Sequence, residues 1–168
     1  MGLLITTSRK PSNRTRTFCK DLRAVVPGSL LMNRGKRDFQ SLMDSARENG
    51  YSRVLVVQES HGNPARIDSV SVAEENWEWG PVLEFTSVRL SREVSGVKFK
   101  QFQDLSLAAE SKADEERALQ VFGELFMEGS ELVMRVEKGF KRVTFYYDGR
   151  EIGPSFRVTS FKAKGEGE

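Results

Sequence analysis

The sequence has little of the chemistry that enzymes and secreted proteins use, because its 168 residues include one histidine and one cysteine. A single cysteine excludes an internal disulfide and is typical of a reducing compartment, so we predict a cytoplasmic protein. Cys19 adjoins the apolar face of a predicted helix, where we expect a buried structural thiol. His61 lies in a glycine-containing loop, and no Cys/His cluster has metal-ligand spacing, so we predict no catalytic residues, no metal site and no cofactor.

Long apolar runs are also missing. No run approaches the roughly 18 apolar residues of a membrane helix, and Leu3–Ile5 is too short for the core of a signal peptide. We therefore predict one domain with no membrane segment.

The sequence also lacks a phosphate-cradling loop. Such a loop requires a glycine five residues before its Gly-Lys pair and a hydroxyl residue after it. Around Gly35-Lys36 those positions hold Leu30 and Arg37, so we predict no such loop.

Charge is unevenly distributed along the chain, although the net charge is only +2. Residues 1–72 hold 12 Lys and Arg against 6 Asp and Glu, whereas residues 73–168 hold 14 against 18. Within residues 1–37 there are nine cations and one acid, Asp21. This asymmetry indicates that the amino-terminal part faces a polyanion such as a nucleic acid.

The first predicted helix follows a short strand at Leu3–Ile5. Ser12 is a suitable N-cap, and Phe18, Leu22 and Val25 have the i, i+4, i+7 spacing of a buried helical stripe. A helix start surrounded by hydroxyls and cations suits a phosphate.

Arg16, Lys20 and Arg23 repeat the same spacing two residues earlier, which turns them by roughly 200° away from the apolar stripe. The basic turn Asn33–Arg37 would extend this surface. The residues that we predict to contact RNA are Ser8, Arg9, Lys10, Ser12, Arg14, Arg16, Lys20, Arg23, Arg34, Lys36 and Arg37.

The remaining pattern predicts an α/β fold. A strand at Ser29–Met32, a helix capped by Asp38 and a fully covered strand at Val54–Val57 give strand–helix–strand–helix–strand. The other predicted elements are a loop at Glu59–Pro64, an extended segment around Ile67–Val72, a solvated acidic loop at Glu74–Trp79, a strand at Val82–Leu90, a second extended segment at Val97–Phe102, a polar connection at Leu105–Lys112, a helix from Asp114 to Gly129, and strands at Leu132–Val136, Val143–Tyr147 and Phe156–Phe161 with a hairpin turn at Asp148-Gly149.

The two tryptophans of the chain allow two interpretations. Trp77 and Trp79 flank Glu78, and they either pack under a loop or stack on bases.

The sequence also contains an internal similarity. The segment Gly80–Val88 is similar to Gly153–Phe161 at an offset of 73 residues, which predicts two α/β halves joined near residue 93.

The motif ITTSRKPSNRTR at Ile5–Arg16 resembles the opening motif of the Brix domain proteins of ribosome biogenesis. Other segments in the order expected for that family are Asn33–Lys36, Gly62–Pro64, Gly80-Pro81 and Glu151–Pro154. The resemblance covers essentially the whole chain, which looks like the stand-alone archaeal form. Ser155 departs from the pattern, because an arginine is expected after the second Gly-Pro.

The resemblance implies a single Brix domain over residues 1–168, with an amino-terminal half of about 1–92 and a carboxyl-terminal half of about 93–168. Each half would resemble the anticodon-binding domain of class-II aminoacyl-tRNA synthetases. It also implies a non-catalytic factor that binds ribosomal RNA or its precursor and other assembly proteins. The residues alone allow a second function, in which the basic face docks an acidic assembly partner and does not touch RNA.

Overall fold

The computed structural model describes residues 2–96, 98 and 100–163, which form one ten-stranded sheet with helices on its two faces. The strand order is β2-β1-β3-β4-β5-β10-β8-β7-β6, and β9 pairs with β8. The elements are β1 (Leu3–Thr7), α1 (Asn13–Val25), β2 (Ser29–Leu31), α2 (Phe39–Glu48), β3 (Arg53–Ser60), β4 (Asn63–Val72), β5 (Trp77–Arg89), α3 (Ser91–Val94), β6 (Ser106–Ala109), α4 (Lys112–Phe122), β7 (Leu132–Val136), β8 (Arg142–Tyr147), β9 (Arg150–Glu151) and β10 (Ser155–Lys162). Among these, no helix is both long and apolar enough to cross a membrane.

The amino-terminal part is doubly wound, because β1 pairs in parallel with β2 on one side and with β3 on the other. Helix α1 packs on one face of these strands and α2 on the opposite face. The run Val54–Val57 is buried on both faces, which confirms the prediction of a covered strand.

Helix α1 forms as its sequence predicts. Ser12 caps it by accepting a hydrogen bond from the Thr15 N–H at 3.1 Å, and Phe18 and Leu22 are fully buried. Cys19 is buried beside them, and desolvation raises the pKa of its thiol to about 12. The prediction of a buried structural thiol is therefore confirmed.

The predicted loop at Glu59–Pro64 is wrong, since β3 and β4 run to Ser60 and from Asn63. Only His61 and Gly62 form the turn, with φ values of 51° and 79°. Two consecutive left-handed residues match the twist of a two-residue hairpin, and the glycine adopts that conformation without strain.

Strand β5 begins at Trp77 and passes through Gly80-Pro81, whereas the sequence predicted an acidic loop and a break there. The Gly-Pro pair lies opposite a register shift between Asp68 and Val70, where a bulge removes the need for an N–H at the proline. The Ser69 hydroxyl donates to the Pro81 carbonyl at 2.6 Å. A Cβ at Gly80 would lie 2.7 Å from the same Ser69 Oγ, so the close approach requires glycine.

The carboxyl-terminal strands join the same sheet through the antiparallel pair β5–β10. Helix α4 lies on the same face as α1 and contributes Val121 and Phe122 to a shared core. The rings of Phe18, Phe85 and Phe156 lie with centroids 4.6–5.9 Å apart, so α1, β5 and β10 meet in one aromatic cluster.

Two predictions in this region are wrong. The polar connection Leu105–Lys112 contains β6, and α4 ends at Gly123, with φ of 84°, instead of at Gly129, so Leu125 lies beyond the helix. In the predicted extended segment Val97–Phe102, Val97 and Phe99 lie outside the described residues, and the described ones pair with no strand of the sheet. The short helix α3 was not predicted.

Candidate nucleic-acid interface

Three loops meet at the carboxyl ends of the parallel strands β1, β2 and β3. The Arg34 guanidinium donates to the Thr7 carbonyl at 3.1 Å, which joins the loop after β2 to the end of β1. The Ser12 hydroxyl donates to the Gly62 carbonyl at 2.8 Å, which joins the loop after β1 to the hairpin. In doubly wound sheets the connections diverge at this edge, and ligands bind in the crevice that they leave.

The amino end of α1 is occupied by a side chain of the protein itself. One oxygen of Glu59, Oε2, accepts from the Thr15 hydroxyl at 2.6 Å and from the Ser12 N–H at 3.0 Å. The Thr15 hydrogen bond is the largest of the contacts that lower the pKa of Glu59. The position that the sequence assigned to a phosphate therefore holds a carboxylate, and Ser12 is committed to internal hydrogen bonds.

Arg14 is also committed to internal contacts. Its two terminal nitrogens donate to the two carboxylate oxygens of Glu93, each at 2.9 Å, and one of them also donates to the Val88 carbonyl at 2.9 Å. This bidentate contact is the main reason that the pKa of Glu93 falls to about 2. Arg14 thus ties α1 to α3 and has little remaining capacity for a phosphate.

The other predicted cations lie at the surface. The exposed ones are Arg9, Lys10, Arg16, Lys20, Arg23, Lys36 and Arg37, while Ser8 and Arg34 are partly exposed. Exposure of the three α1 cations agrees with the helical spacing that predicted it. Burial lowers the pKa of Arg34, and the charge of Arg9, on the loop after β1, lowers it further.

A groove of about 750 Å³ runs beside α1, between β2, α3 and the Ile152-Gly153 segment. Its floor is apolar and includes Leu30, whose surface is 39% exposed. Lys20 and Arg23 from α1 line it, as do two cations absent from the sequence prediction, Arg92 and Lys98. Cations beside an apolar floor suit a ligand that carries both phosphates and flat rings.

One acid, Asp21, is among the described residues that line this groove. Its carboxylate accepts from the Ser91 N–H at 2.9 Å, and burial raises its pKa. Asp21 therefore positions α3, and its charge is partly shielded from the groove. A signal for the missed cations was present in the sequence, because residues 89–100 hold four Lys and Arg against one acid.

The two tryptophans form a surface cluster with Phe39 at the start of α2. The ring of Trp79 stacks on Phe39 with centroids 4.7 Å apart and is 5.5 Å from Trp77. Trp77 packs against the core on the α2 side, whereas Trp79 remains 44% exposed. Trp77 therefore packs in the structure, whereas the ring of Trp79 is accessible in part, and base stacking by Trp79 stays a prediction.

The fold and this surface define a mixed α/β protein whose predicted contact residues lie at the carboxyl ends of the parallel strands and along α1. Comparison with known proteins assigns the family, although no protein-family model matches the chain. A probable Brix domain-containing ribosomal biogenesis protein of Thermococcus kodakarensis is 32% identical over 146 residues, covering 84% of this chain and 69% of the relative. The chain therefore belongs to the Brix domain-containing ribosomal biogenesis proteins.

Other similarities are more partial or more distant. The Pyrococcus horikoshii relative is 40% identical over 92 residues, and the matched region spans only 41% of its length. Bovine IMP4, a U3 small nucleolar ribonucleoprotein protein, is 34% identical over 110 residues, which are 66% of this chain and 34% of IMP4. The crystal structure of a probable ribosomal biogenesis protein from Aeropyrum pernix superposes with a TM-score of 0.80 at 27% identity and covers 99% of this chain and 97% of its own.

Proposed function

We propose that this protein is a non-catalytic ribosome biogenesis factor that binds single-stranded segments of ribosomal RNA or its precursor. The observation that carries the proposal is the groove beside α1, where Lys20, Arg23 and Arg92 surround an apolar floor. Phosphates would pair with the cations, and bases would lie against the floor.

Family membership and charge support the proposal. The relatives named above are ribosome biogenesis proteins, and one is a ribonucleoprotein component. Arg9, Lys10, Lys36 and Arg37 lie at the same end of the parallel strands as the amino terminus of α1, so a longer RNA would pass from the groove to this edge. We withdraw Ser12 and Arg14 from the proposed contact set, since their polar atoms are engaged within the protein.

We further propose that the chain consists of the two related halves, about 1–92 and 93–168. Strands β1-β3-β4-β5 and β6-β7-β8-β10 each comprise a parallel pair followed by two antiparallel neighbours. Each would then correspond to one anticodon-binding-like unit, as the family resemblance implies. Assembly proteins in the cytoplasm would be the other partners.

A triple variant tests the function. Lys20→Gln, Arg23→Gln and Arg92→Gln remove three groove cations, and the matched control removes the exposed cations Lys112, Lys138 and Arg150. Binding to a labelled single-stranded precursor rRNA fragment would be measured by fluorescence anisotropy over a range of salt concentrations. Three lost phosphate contacts correspond to about a 50-fold weaker affinity at about 0.15 M salt and to a salt slope smaller by about 2.

Two results would reject RNA binding at this groove: a wild-type slope near zero, or a triple variant that binds as the control does. The sequence also allowed an acidic protein partner, which would use the same cations and Leu30. That function requires capture of an assembly protein that survives ribonuclease treatment and is lost in the triple variant, without measurable RNA affinity.

A further inference from the structure

The carboxyl-terminal half of the sheet has a second face that no described helix covers. Met134, Phe145 and Phe156 point into the core beneath α1 and α4. Side chains alternate along a strand, so the residues between them point to the opposite face. Helix α2 lies on that face, but its core contacts are with β1, β3 and β4.

The open face carries three arginines on adjacent strands: Arg135 on β7, Arg142 on β8 and Arg157 on β10. The sheet register places Arg142 directly opposite Arg157, and Arg135 opposite Thr144, two residues along β8. Directly opposed side chains have Cβ atoms about 5 Å apart, and diagonal neighbours about 7–8 Å. The three guanidinium groups therefore lie within reach of one short ligand.

Like charges in directly opposed positions destabilise a sheet unless an anion joins them. Among the described residues, no carboxylate makes an ion pair or hydrogen bond with Arg135, Arg142 or Arg157. Arg66, on the same side of the sheet, is by contrast paired with Asp68 at 2.7 Å. The three arginines thus lie close together on this face without an ion-pair partner among the described residues.

An aromatic ring adjoins these charges. The guanidinium of Arg135 lies over the Tyr146 ring, 4.4 Å from its centroid, so it covers one face of the ring and presents its own outer plane to solvent. Acids also adjoin these arginines. The Glu137 N–H donates to the Arg142 carbonyl at 3.0 Å, and Glu84 lies two residues along β5 from Thr86, which is opposite Arg157. Glu151 lies opposite Tyr146, and the Arg89 guanidinium is 3.9 Å from its carboxylate. Aromatic rings and guanidinium planes on an open sheet are the surfaces on which unpaired bases stack.

We propose that Arg135, Arg142, Tyr146 and Arg157, here called the arginine face, form a second binding surface for single-stranded RNA. This surface lies on the other side of the sheet from the α1 groove. The proposal rests on the proposed function only for the class of ligand, because the residues, strands and sheet face are different. The arginines would pair with phosphates, and Tyr146 with Arg135 would stack on a base.

Stoichiometry distinguishes one surface from two. A labelled oligouridine of about 4 nucleotides, near the smallest site size of a single-strand-binding surface, is too short to span both faces, so native mass spectrometry should show two bound per wild-type protein. Changing Arg135, Arg142 and Arg157 to Gln should leave one bound and lower the salt slope on a long RNA by about 2. Tyr146→Leu should weaken binding to this face about tenfold with an unchanged salt slope.

Different stoichiometries would refute the arginine face and the α1 groove. If the arginine-face variant still binds two oligonucleotides while the groove variant binds one, the second surface is refuted and the groove stands. If the groove variant alone keeps wild-type stoichiometry, the arginine face stands and the groove is refuted. A thermal melt checks folding of each variant. If the Gln variant unfolds, Lys is placed at the same three positions. Lys keeps the positive charge but lacks the planar, bidentate donor group of Arg. Unchanged RNA binding by the Lys variant would refute the proposed arginine contacts.

Discussion

Replacement of Glu59 by Gln tests whether the amino end of α1 is stabilised by the chain's own carboxylate. Glu59 accepts from Thr15 at 2.6 Å and from the Ser12 N–H at 3.0 Å, close to the positive end of the helix. A charge-assisted hydrogen bond and the helix dipole each contribute about 1 kcal/mol at a partly exposed site. We therefore expect Glu59→Gln to lower the free energy of unfolding by about 1–2 kcal/mol at pH 7, or Tm by roughly 3–6 °C.

The stability that the Glu59 carboxylate contributes depends on pH. Because the pKa of Glu59 is lower in the folded state than in the unfolded state, its contribution is complete above the unfolded pKa of about 4.3. It is lost as the pH falls through the lowered folded pKa. The stability difference between wild type and Glu59→Gln should therefore shrink as the pH falls from 7 to about 3.

Urea unfolding followed by circular dichroism would measure both quantities. Glu75→Gln is the control, since Glu75 lies in an exposed turn and the substitution removes the same charge. Equal stability of the two variants at pH 7, or a difference that does not change with pH, would refute the role of the carboxylate at α1.

Two further substitutions have defined outcomes. Asp114 is fully buried, and although desolvation raises its pKa, hydrogen bonds from the Gly139 N–H at 2.8 Å and from Arg117 lower it on balance. Asp114→Asn should cost about 2–3 kcal/mol of unfolding free energy in urea titrations at pH 7, with a smaller loss at pH 3, and an unchanged midpoint would contradict this. Ser155 is buried, and its hydroxyl has no hydrogen-bond partner among the described residues, so Ser155→Ala should leave Tm unchanged or raise it. A Tm lower by more than about 3 °C would show that the hydroxyl is bonded.

The parts of the fold that the sequence predicted are those with strong local signals. Ser12 and Asp38 cap α1 and α2 in the structure, and the apolar stripes behind them are buried. The hairpin turn at Asp148-Gly149 also forms where it was predicted, between β8 and β9. Each of these signals acts over a few residues, so no knowledge of tertiary contacts was needed.

The errors arise where distant residues decide the conformation. Pro81 indicates a break until the bulge opposite it in β4 is known. Strand β6 has only four residues, so it does not stand out before it pairs with β7. At the interface the sequence predicted which side of α1 is exposed. It did not predict two contacts between distant residues. Glu59 bonds Thr15 across 44 residues, and Glu93 bonds Arg14 across 79 residues. Both contacts remove polar groups of α1 from the surface available to RNA.

The pairing of β5 with β10 also governs how the protein is made on the ribosome. Residues 1–92 leave the exit tunnel first, and β5 then has a free edge from Val82 to Arg89 that includes the core residue Phe85. That edge is covered only when the last strand, Ser155–Lys162, has been synthesised. An incomplete chain that ends before β10 thus exposes the unpaired N–H and C=O groups of β5. We expect such truncated products to aggregate or to be bound by chaperones.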